Sequence, residues 1–414
     1  MMETEPQIRY EGGERSKLLP LSRNRDYRLI VLAGTVSALG SKVSQIALPL
    51  LALGLTDSPL WAGLLAAAQQ LPYLLLSLPA GAWVDRLPRR RLLIACDLLR
   101  CLALGSIPLA YLAGALSIGQ LLIVVFIAGS CTVLFELADM AALPHLVHPA
   151  QLAQARSVSE GIEAGAAALG PALGGLIVGL GRSSVGGAAL AYLLDSLSYL
   201  ASACGLLGVR RPLQGARPTT HPPLWAAVRE GLRFLWSHGA LRRLMLLTMV
   251  VNFLQAPLGL GVILVAQRRL GLAPAQIGLI FSLAGGAAVL GALLAARFHR
   301  PERLWAIVLG SLMAWAASAL ALALAGSAPL LAAGYALTQL TWPIYAVAVV
   351  SYRLETTPEG LHGRVTSAFR TLSYGAEPLG LAIGGWAVGL TGAPALFGII
   401  AAGLLLCALW AARR

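Results

Sequence analysis

Gly81-Ala82-Trp83-Val84-Asp85-Arg86-Leu87-Pro88-Arg89-Arg90-Arg91 decides how this chain folds. The stretch puts one carboxylate and four guanidiniums into a short turn between two long apolar runs. A soluble domain has no use for that arrangement. At a membrane surface it joins two spanning helices. Its charges can then form pairs that hold one conformation of a moving protein and release it in the next.

The composition agrees. Hydrophobic residues make up 57% of the 414 residues and charged residues 12%, and mean hydropathy is +0.75. Soluble domains carry about 25% charged residues. The apolar runs suit helices, which need about 20 residues to cross about 30 Å of hydrocarbon. They lack the alternation of a β-barrel. Spans are expected near 27–54, 59–84, 91–113, 117–141, 152–180, 186–208, 241–268, 274–298, 302–325, 328–353, 363–390 and 393–411. Turn signals such as Thr56-Asp57-Ser58-Pro59 and Thr391-Gly392-Ala393-Pro394 separate them.

The expected fold is an all-α membrane protein with 12 transmembrane helices in two six-helix pseudo-symmetric bundles. A tail (1–26) precedes the first bundle (27–208), a linker (209–240) follows, and the second bundle covers 241–414. In the linker, Trp225, Val228, Leu232, Leu235 and Trp236 recur at helical spacing beside Arg229 and Arg233. That pattern predicts an amphipathic helix on the cytoplasmic face. Two equal halves around a long basic linker point to a substrate site near the midplane between them.

In a soluble protein the net charge of +13 would suggest nucleic acid. Here 25 of the 31 Lys and Arg residues lie in or beside segments on one side of the expected membrane. Three (Arg182, Arg268, Arg269) lie on the other side. The bias puts both termini in the cytoplasm and makes nucleic acid an unneeded partner. The five cysteines fall inside spans without CxxC spacing, so disulfides and metal clusters are not expected. Residues 1–28 are polar and do not form a cleavable signal, and no lipidation motif is present. The excess of Arg over Lys suggests a GC-rich bacterial genome. The expected location is a multi-pass position in the cell (inner or plasma) membrane.

Ionisable residues inside spans are costly and usually face a cavity or a partner. They are Lys42, Asp97, Arg100, Glu136, Asp139, Glu160, Glu163, Asp195, Arg370 and Glu377, with no carboxylate in spans 7 to 10. Polar stripes accompany them. Thr366, Arg370, Ser373 and Glu377 share one face of span 11, and spans 1, 2, 7 and 10 carry similar faces. Substrate-cavity candidates are Lys42, Gln45, Tyr73, Asn252, Gln255, Tyr345, Arg370 and Tyr374. Hydrogen bonding between helices is the alternative role for such groups. Proton coupling needs carboxylates in water-poor surroundings, and Glu136, Glu163, Asp195 and Glu377 are the candidates. Neutralisation of Lys42, Arg100 and Arg370 is their alternative role.

The opening stretch resembles the G-x-x-x-D-R-x-G-R-R/K signature of the major facilitator superfamily. Gly81, Asp85, Arg86, Arg89 and Arg90 occupy its positions, and Pro88 replaces the usual glycine. The resemblance implies a conformational latch. In it Asp85 rests against the start of span 11 at Gly363-Arg364, where a helix N-terminus favours a carboxylate. An arginine of the junction would pair with Asp139. Gly170-Pro171-Ala172-Leu173-Gly174-Gly175 in span 5 resembles the GP-x-x-GG core of the superfamily's antiporters, which implies export. Close helix packing by small residues is the plain alternative. Residues 191–199 (AYLLDSLSY), 229–235 (REGLRFL), 356–365 (TTPEGLHGRV) and Pro378-Leu379-Gly380 are similar to the branch with macrolide-efflux proteins and the enterobactin exporter. Many members of that branch carry an acid just after the span 1 glycine, whereas here Gly40 is followed by Ser41 and Lys42.

The resemblance implies a secondary active transporter working by alternating access. The expected activity is proton-coupled efflux of small amphipathic molecules, antibiotic- or siderophore-like. An importer or symporter of small nutrients is the alternative on the same fold. The expected partners are the substrate, protons and the bilayer, with one chain sufficient and the proton gradient in place of a cofactor. No Walker A sequence is present, and no enzyme is expected. His145 and His148 have HxxH spacing but sit between Pro144 and Pro149 with no acid nearby, so a loop role is preferred to a metal site.

Overall fold

In hydrocarbon every backbone N–H and C=O must find its partner within the protein, so apolar runs of this length fold as helices. The computed structural model describes residues 20–214, 224–298 and 303–413. For residues 77, 78, 82, 85, 224–228, 296, 298 and 359 only the backbone is described. No strand occurs among the described residues. Six long helices precede the linker: α1 (Arg25–Thr56), α2 (Pro59–Arg86), α3 (Arg89–Leu112), α4 (Ile118–Leu146), α5 (Leu152–Leu180) and α6 (Ser184–Leu207). The linker carries α7 (Leu224–Ser237). Then follow α8 (Gly239–Gln255), α9 (Leu258–Leu264), α10 (Pro274–Phe298), α11 (Leu304–Ala323) and α12 (Ala328–Thr356). The chain continues through α13 (His362–Gly375), α14 (Glu377–Thr391) and α15 (Ala393–Ala412). Among the described residues, nine helical stretches have the length and hydropathy of a membrane span. The helices α2 and α12 and the pair α13–α14 complete the expected series of twelve.

Two spans expected to be continuous are broken. Span 7 breaks between α8 and α9 at Pro257. Span 11 breaks at Ala376, two residues before Pro378. Proline lacks the N–H and its ring excludes the carbonyl four residues earlier. The expected stripe from Arg370 to Glu377 is therefore corrected: the two residues lie on different helices. The breaks pack on each other. A Cβ at Gly384 of α14 would collide with the Pro257 ring, and one at Gly380 with the carbonyl of Phe253.

In the first half α1 lies against α5 and α6, α3 against α4 and α6, and α2 against α4. In the second half α10 lies against α12, and α11 against α12 and α15. Two seams join the halves, α5 on α10 and α2 on α14. Both are backbone contacts made by glycine. Gly63 faces Gly385 and Gly175 faces Gly278, and a side chain at any of the four would meet main-chain atoms. All four lie near the face opposite the N-terminal end of α1. Toward the face that carries the termini the halves diverge, leaving Glu136, Glu163 and Tyr374 exposed.

Candidate functional site

The divergence encloses a cavity of about 720 Å3 between the halves. The first half gives it Lys42 and Gln45 from α1, Gln70 and Tyr73 from α2, Arg100 from α3, Glu136 from α4, Glu163 from α5 and Asp195 from α6. The second half gives Asn252 and Gln255 from α8, Phe281 from α10, and Tyr335 and Trp342 from α12. Tyr374 of α13 and Glu377 of α14 complete that side. The charge is thus mostly on the first-half wall, while both walls carry aromatic surface: Tyr73, Phe135, Tyr192 and Tyr199 on one, Phe281, Tyr335, Trp342 and Tyr374 on the other.

Two buried polar groups anchor the first-half wall. Arg100 is only 4% exposed. Its guanidinium bonds Asp97 at 2.5 Å and lies 4.5 Å from the Phe135 ring centre and 4.2 Å from that of Tyr199. The pair and the two aromatic faces replace the water this cation has lost. Asp195 is 1% exposed. Ser44 donates to it at 2.5 Å and Ser198 at 3.4 Å, while Ser41 and Tyr199 bond beside it at 2.7 Å. Gly40 makes this approach of α1 to α6 feasible, since a Cβ there would strike Ser198 and Asp195. No ion pair to Asp195 occurs among the described residues; the described ion pair of Arg100 is with Asp97.

The other carboxylates meet the cavity directly. Tyr73 donates its hydroxyl to Glu136 at 2.8 Å. Gln70 of the first half donates to Glu377 of the second at 3.2 Å. Asn252 donates to the carbonyl of Ser373 at 2.9 Å, tying α8 to α13.

Ten sequence candidates therefore share one cavity: Lys42, Gln45, Tyr73, Glu136, Glu163, Asp195, Asn252, Gln255, Tyr374 and Glu377. Two do not. Tyr345 is 1% exposed. Its hydroxyl bonds Thr248 at 2.7 Å and its ring lies 5.1 Å from that of Trp315, so it stands behind the wall in the second-half core. Arg370 is exposed on α13 and is not part of the cavity lining.

The span 5 motif works by close approach. Side chains at Gly170 and Gly174 would strike Lys42 and Val43 of α1, and one at Gly175 would strike Pro274 and Gly278 of α10. Next to Pro171, the N–H of Ala172 donates across the seam to Ser282 at 2.8 Å.

The charged junction is tied to helix ends. The N–H of Leu87 closes α2 on the carbonyl of Trp83 at 2.8 Å, and Pro88 precedes α3. Arg89 donates to Ala141 at 2.9 Å and to Leu213 at 3.4 Å. Arg90 donates to Leu206 at 3.2 Å and to Leu207 at 2.6 Å, at the C-terminus of α6, where a cation is favoured. Arg86 is exposed, and Asp139 is half-buried on α4. A Cβ at Gly81 would meet nothing within 4 Å. The Asp85 side chain lies outside the described residues. Arg364 pairs with Glu230 of α7, and Gly231 packs on the Arg364 carbonyl. The linker helix thus covers the start of α13, with Leu235 buried and Arg229, Leu232, Arg233 and Trp236 exposed. The linker positions Trp225 and Val228 have undescribed side chains. His145 ends α4, and His148 accepts from the N–H of Ala150 as a cap at 3.3 Å.

Sequence inspection missed the seam. Its signal was present as an internal repeat: Pro59-x3-Gly63 opens α2 and Pro274-x3-Gly278 opens α10. Their partners are also alike, Ala172-Leu-Gly-Gly175 in α5 and Ala382-Ile-Gly-Gly385 in α14. The aromatic wall residues Phe281, Tyr335 and Trp342 had no such signal, because an aromatic in an apolar span looks the same facing lipid, core or cavity.

The sequence pattern of the family described as transmembrane secretion effector matches residues 15–413. The multidrug efflux pump Tap of Mycolicibacterium fortuitum is 28% identical over 375 residues, covering 86% of this chain and 88% of that protein. The multidrug efflux pump Tap of Mycobacterium tuberculosis (strain ATCC 25618 / H37Rv) is 30% identical over 377 residues, covering 86% of this chain and 85% of that protein. Among solved structures, the nucleoside transporter NupG superposes with a TM-score of 0.74 at 12% identity, covering 94% of this chain and 98% of that one. With the helical architecture and the seam-bounded cavity, these matches establish that the chain belongs to the transmembrane secretion effector family and is a transporter of the major facilitator superfamily.

Proposed function

We propose that this transporter exports small amphipathic molecules carrying a positive charge, in exchange for protons. The uneven cavity wall carries the proposal. Asp195, Glu136, Glu163 and Glu377 outnumber Lys42 and Arg100, and Arg100 is already matched by Asp97. Aromatic surface lies on both walls, from Tyr73, Phe135 and Tyr199 beside the acids and from Phe281, Tyr335 and Trp342 across from them. A cation with an aromatic or aliphatic body satisfies both walls. A siderophore-like polyanion would meet repulsion there. The names of the Tap relatives support export. The excess of Lys and Arg on the terminal side supports cytoplasmic termini, so the cavity would open toward the cytoplasm in this state.

In this reading Asp195 carries the proton. It is the most enclosed carboxylate of the wall, its partners are hydroxyls, and the cavity reaches it. The charged and titratable groups interacting with it are Arg100 on α3 and Tyr192 and Tyr199 on its own helix, and Lys42 on α1 and Glu163 on α5 line the same cavity. A carboxylate held this way gains a proton when the site is dry and yields it when a cation binds near Glu136 and Glu163. Rocking of the halves would then expose it to the opposite face.

The test uses purified protein in liposomes loaded with a fluorescent lipophilic cation. An imposed proton gradient should move the dye against its own gradient, opposite to the proton flow. A dye flux that ignores the gradient, or runs with the protons, overturns the proposal.

A further inference from the structure

The closed face holds an ion pair that joins the two halves. Arg268 lies in a π-helical turn, Val265–Arg269, that ends the span begun by α8 and α9. It donates to the carboxylate of Asp57 at 2.5 Å and to the backbone carbonyl of Asp57 at 2.7 Å. Asp57 is the C-cap of α1 in the left-handed region, with φ 50° and ψ 19°. It is the only non-glycine residue with positive φ among the described residues. Asp and Asn tolerate that conformation best among residues with side chains. One guanidinium thus takes both the charge of the cap and a carbonyl at the negative end of α1.

The next residue is a built-in control. Arg269 has the same charge on the same turn, yet it reaches the carbonyl of Ala323 on α11, within its own half, at 3.4 Å. Successive residues on a helical turn point in different directions around the axis, which sends the two guanidiniums to different partners. The pair also sits in a telling place. Asp57 lies two residues before Pro59 of one Pro-x3-Gly element, and Arg268 lies six before Pro274 of the other. The two loops that lead into the repeated seam elements are therefore held to each other. Beside them a cleft of about 360 Å3, lined by Pro59, Val265, Arg268, Gly392 and Pro394 among others, leaves room for the arginine to swing away.

We infer that Asp57 and Arg268 form the outer latch of the transport cycle, holding both seams shut while the cavity is open at the terminal face. The charged junction at Asp85–Arg91 lies at the other face, so the molecule has a charge-based device at each end. Arg268 and Asp57 are 46% and 91% exposed, which limits the strength of the pair and makes it releasable. A latch of this kind biases the two states without freezing one. The inference rests on alternation between two states and not on what is carried.

The experiment is a distance measurement in lipid nanodiscs, on a background without native cysteines. Spin labels at Arg182→Cys and Ser327→Cys span the closed face, one in each half. Asp57→Asn, which keeps the left-handed cap, and Arg268→Gln should each raise the long-distance population about two- to fivefold. Arg269→Gln should leave it unchanged, and Arg268→Lys should recover part of the closed population. The double variant Asp57→Asn/Arg268→Gln should match the single ones, because they remove the same contact. High salt should mimic the variants in the parent and do little to them. Unchanged populations in both single variants overturn the latch. So do an equal effect from Arg269→Gln, or additive effects in the double variant. No substrate is needed, so failure of the export proposal and failure of the latch are read separately.

Discussion

The two halves meet through the same residues and differ in what they hold behind them. At the seams Pro59-x3-Gly63 on Gly385 mirrors Pro274-x3-Gly278 on Gly175. Away from the seams the likeness ends. The first half buries Asp97 with Arg100 and Asp195 with Ser44. The second half buries Trp315, Tyr345 and Thr248, and its buried cation, Arg353, lies 4.8 Å from the Phe369 ring centre. The shared part is the part that must move symmetrically, and a rocking motion needs two equivalent contacts. The divergent part is free to divide the labour. Most of the cavity's charge falls to the first half, and the second supplies the two helix breaks.

The largest effect should follow from removing the buried carboxylate. Asp195→Asn keeps the size and the hydroxyl partners but cannot exchange a proton. Gradient-driven transport should fall by about tenfold or more, while exchange of labelled for unlabelled dye persists. Glu377→Gln, in the second half, should cost far less, because that group is less enclosed than Asp195 and a glutamine keeps a partner in Gln70. If the two variants traded places, the division of labour would have to be reversed.

Arg100→Ala comes next, read as stability. It leaves Asp97 buried and unpaired, a loss of about 3–5 kcal/mol where one partner of a buried pair is removed. The expected readout is a lowered unfolding midpoint in detergent. Asp97→Leu combined with Arg100→Leu should recover much of it, since an apolar pair leaves no orphaned charge. A mild effect of Arg100→Ala alone would mean that water reaches Asp97 from the cavity.

The seams should respond alike to overpacking. Gly175→Leu and Gly385→Leu each force a side chain into backbone, at about 1–3 kcal/mol against the closed contact. Both should shift the population toward the state open at that face, by similar amounts in the same spin-label measurement. A strong effect from one and none from the other would break the symmetry on which the comparison stands.

How much of this was legible in sequence depends on the kind of force involved. The helices were, because hydrocarbon leaves a long apolar run no other choice. The candidates Lys42, Glu136, Glu163, Asp195 and Glu377 were, because a charge inside a span is rarely idle and the cavity is where it can be satisfied. The breaks at Pro257 and Ala376 were missed although Pro257 and Pro378 were in plain view; proline within a span often only bends it, as Pro171 in α5 shows. Tyr345 was misplaced because a helical stripe fixes a face without saying which neighbour covers it. Here Thr248 and Trp315 cover it. The ion pair of Asp57 with Arg268 joins residues 211 apart, and Asp57 alone looked like a turn residue.

The smallest expected effect is also the finest test of which second-half aromatics touch the cargo. Trp342 lines the cavity. Tyr345, three residues on, is one helical turn away on the same α12, its ring 6.1 Å from that of Trp342. Both pack on Trp315, so either substitution disturbs the same cluster. Of the two, Trp342 lines the cavity and Tyr345 does not. Trp342→Ala should therefore raise the half-saturating dye concentration by about fivefold, as loss of one cation–π or stacking contact would. Tyr345→Phe removes the hydroxyl bonded to Thr248 and should cost about 0.5–1.5 kcal/mol of stability. It should leave dye affinity where it was. Paired dye titrations and unfolding curves on the two variants separate the roles. An affinity loss from Tyr345→Phe equal to that from Trp342→Ala would move the wall one turn deeper into the second half.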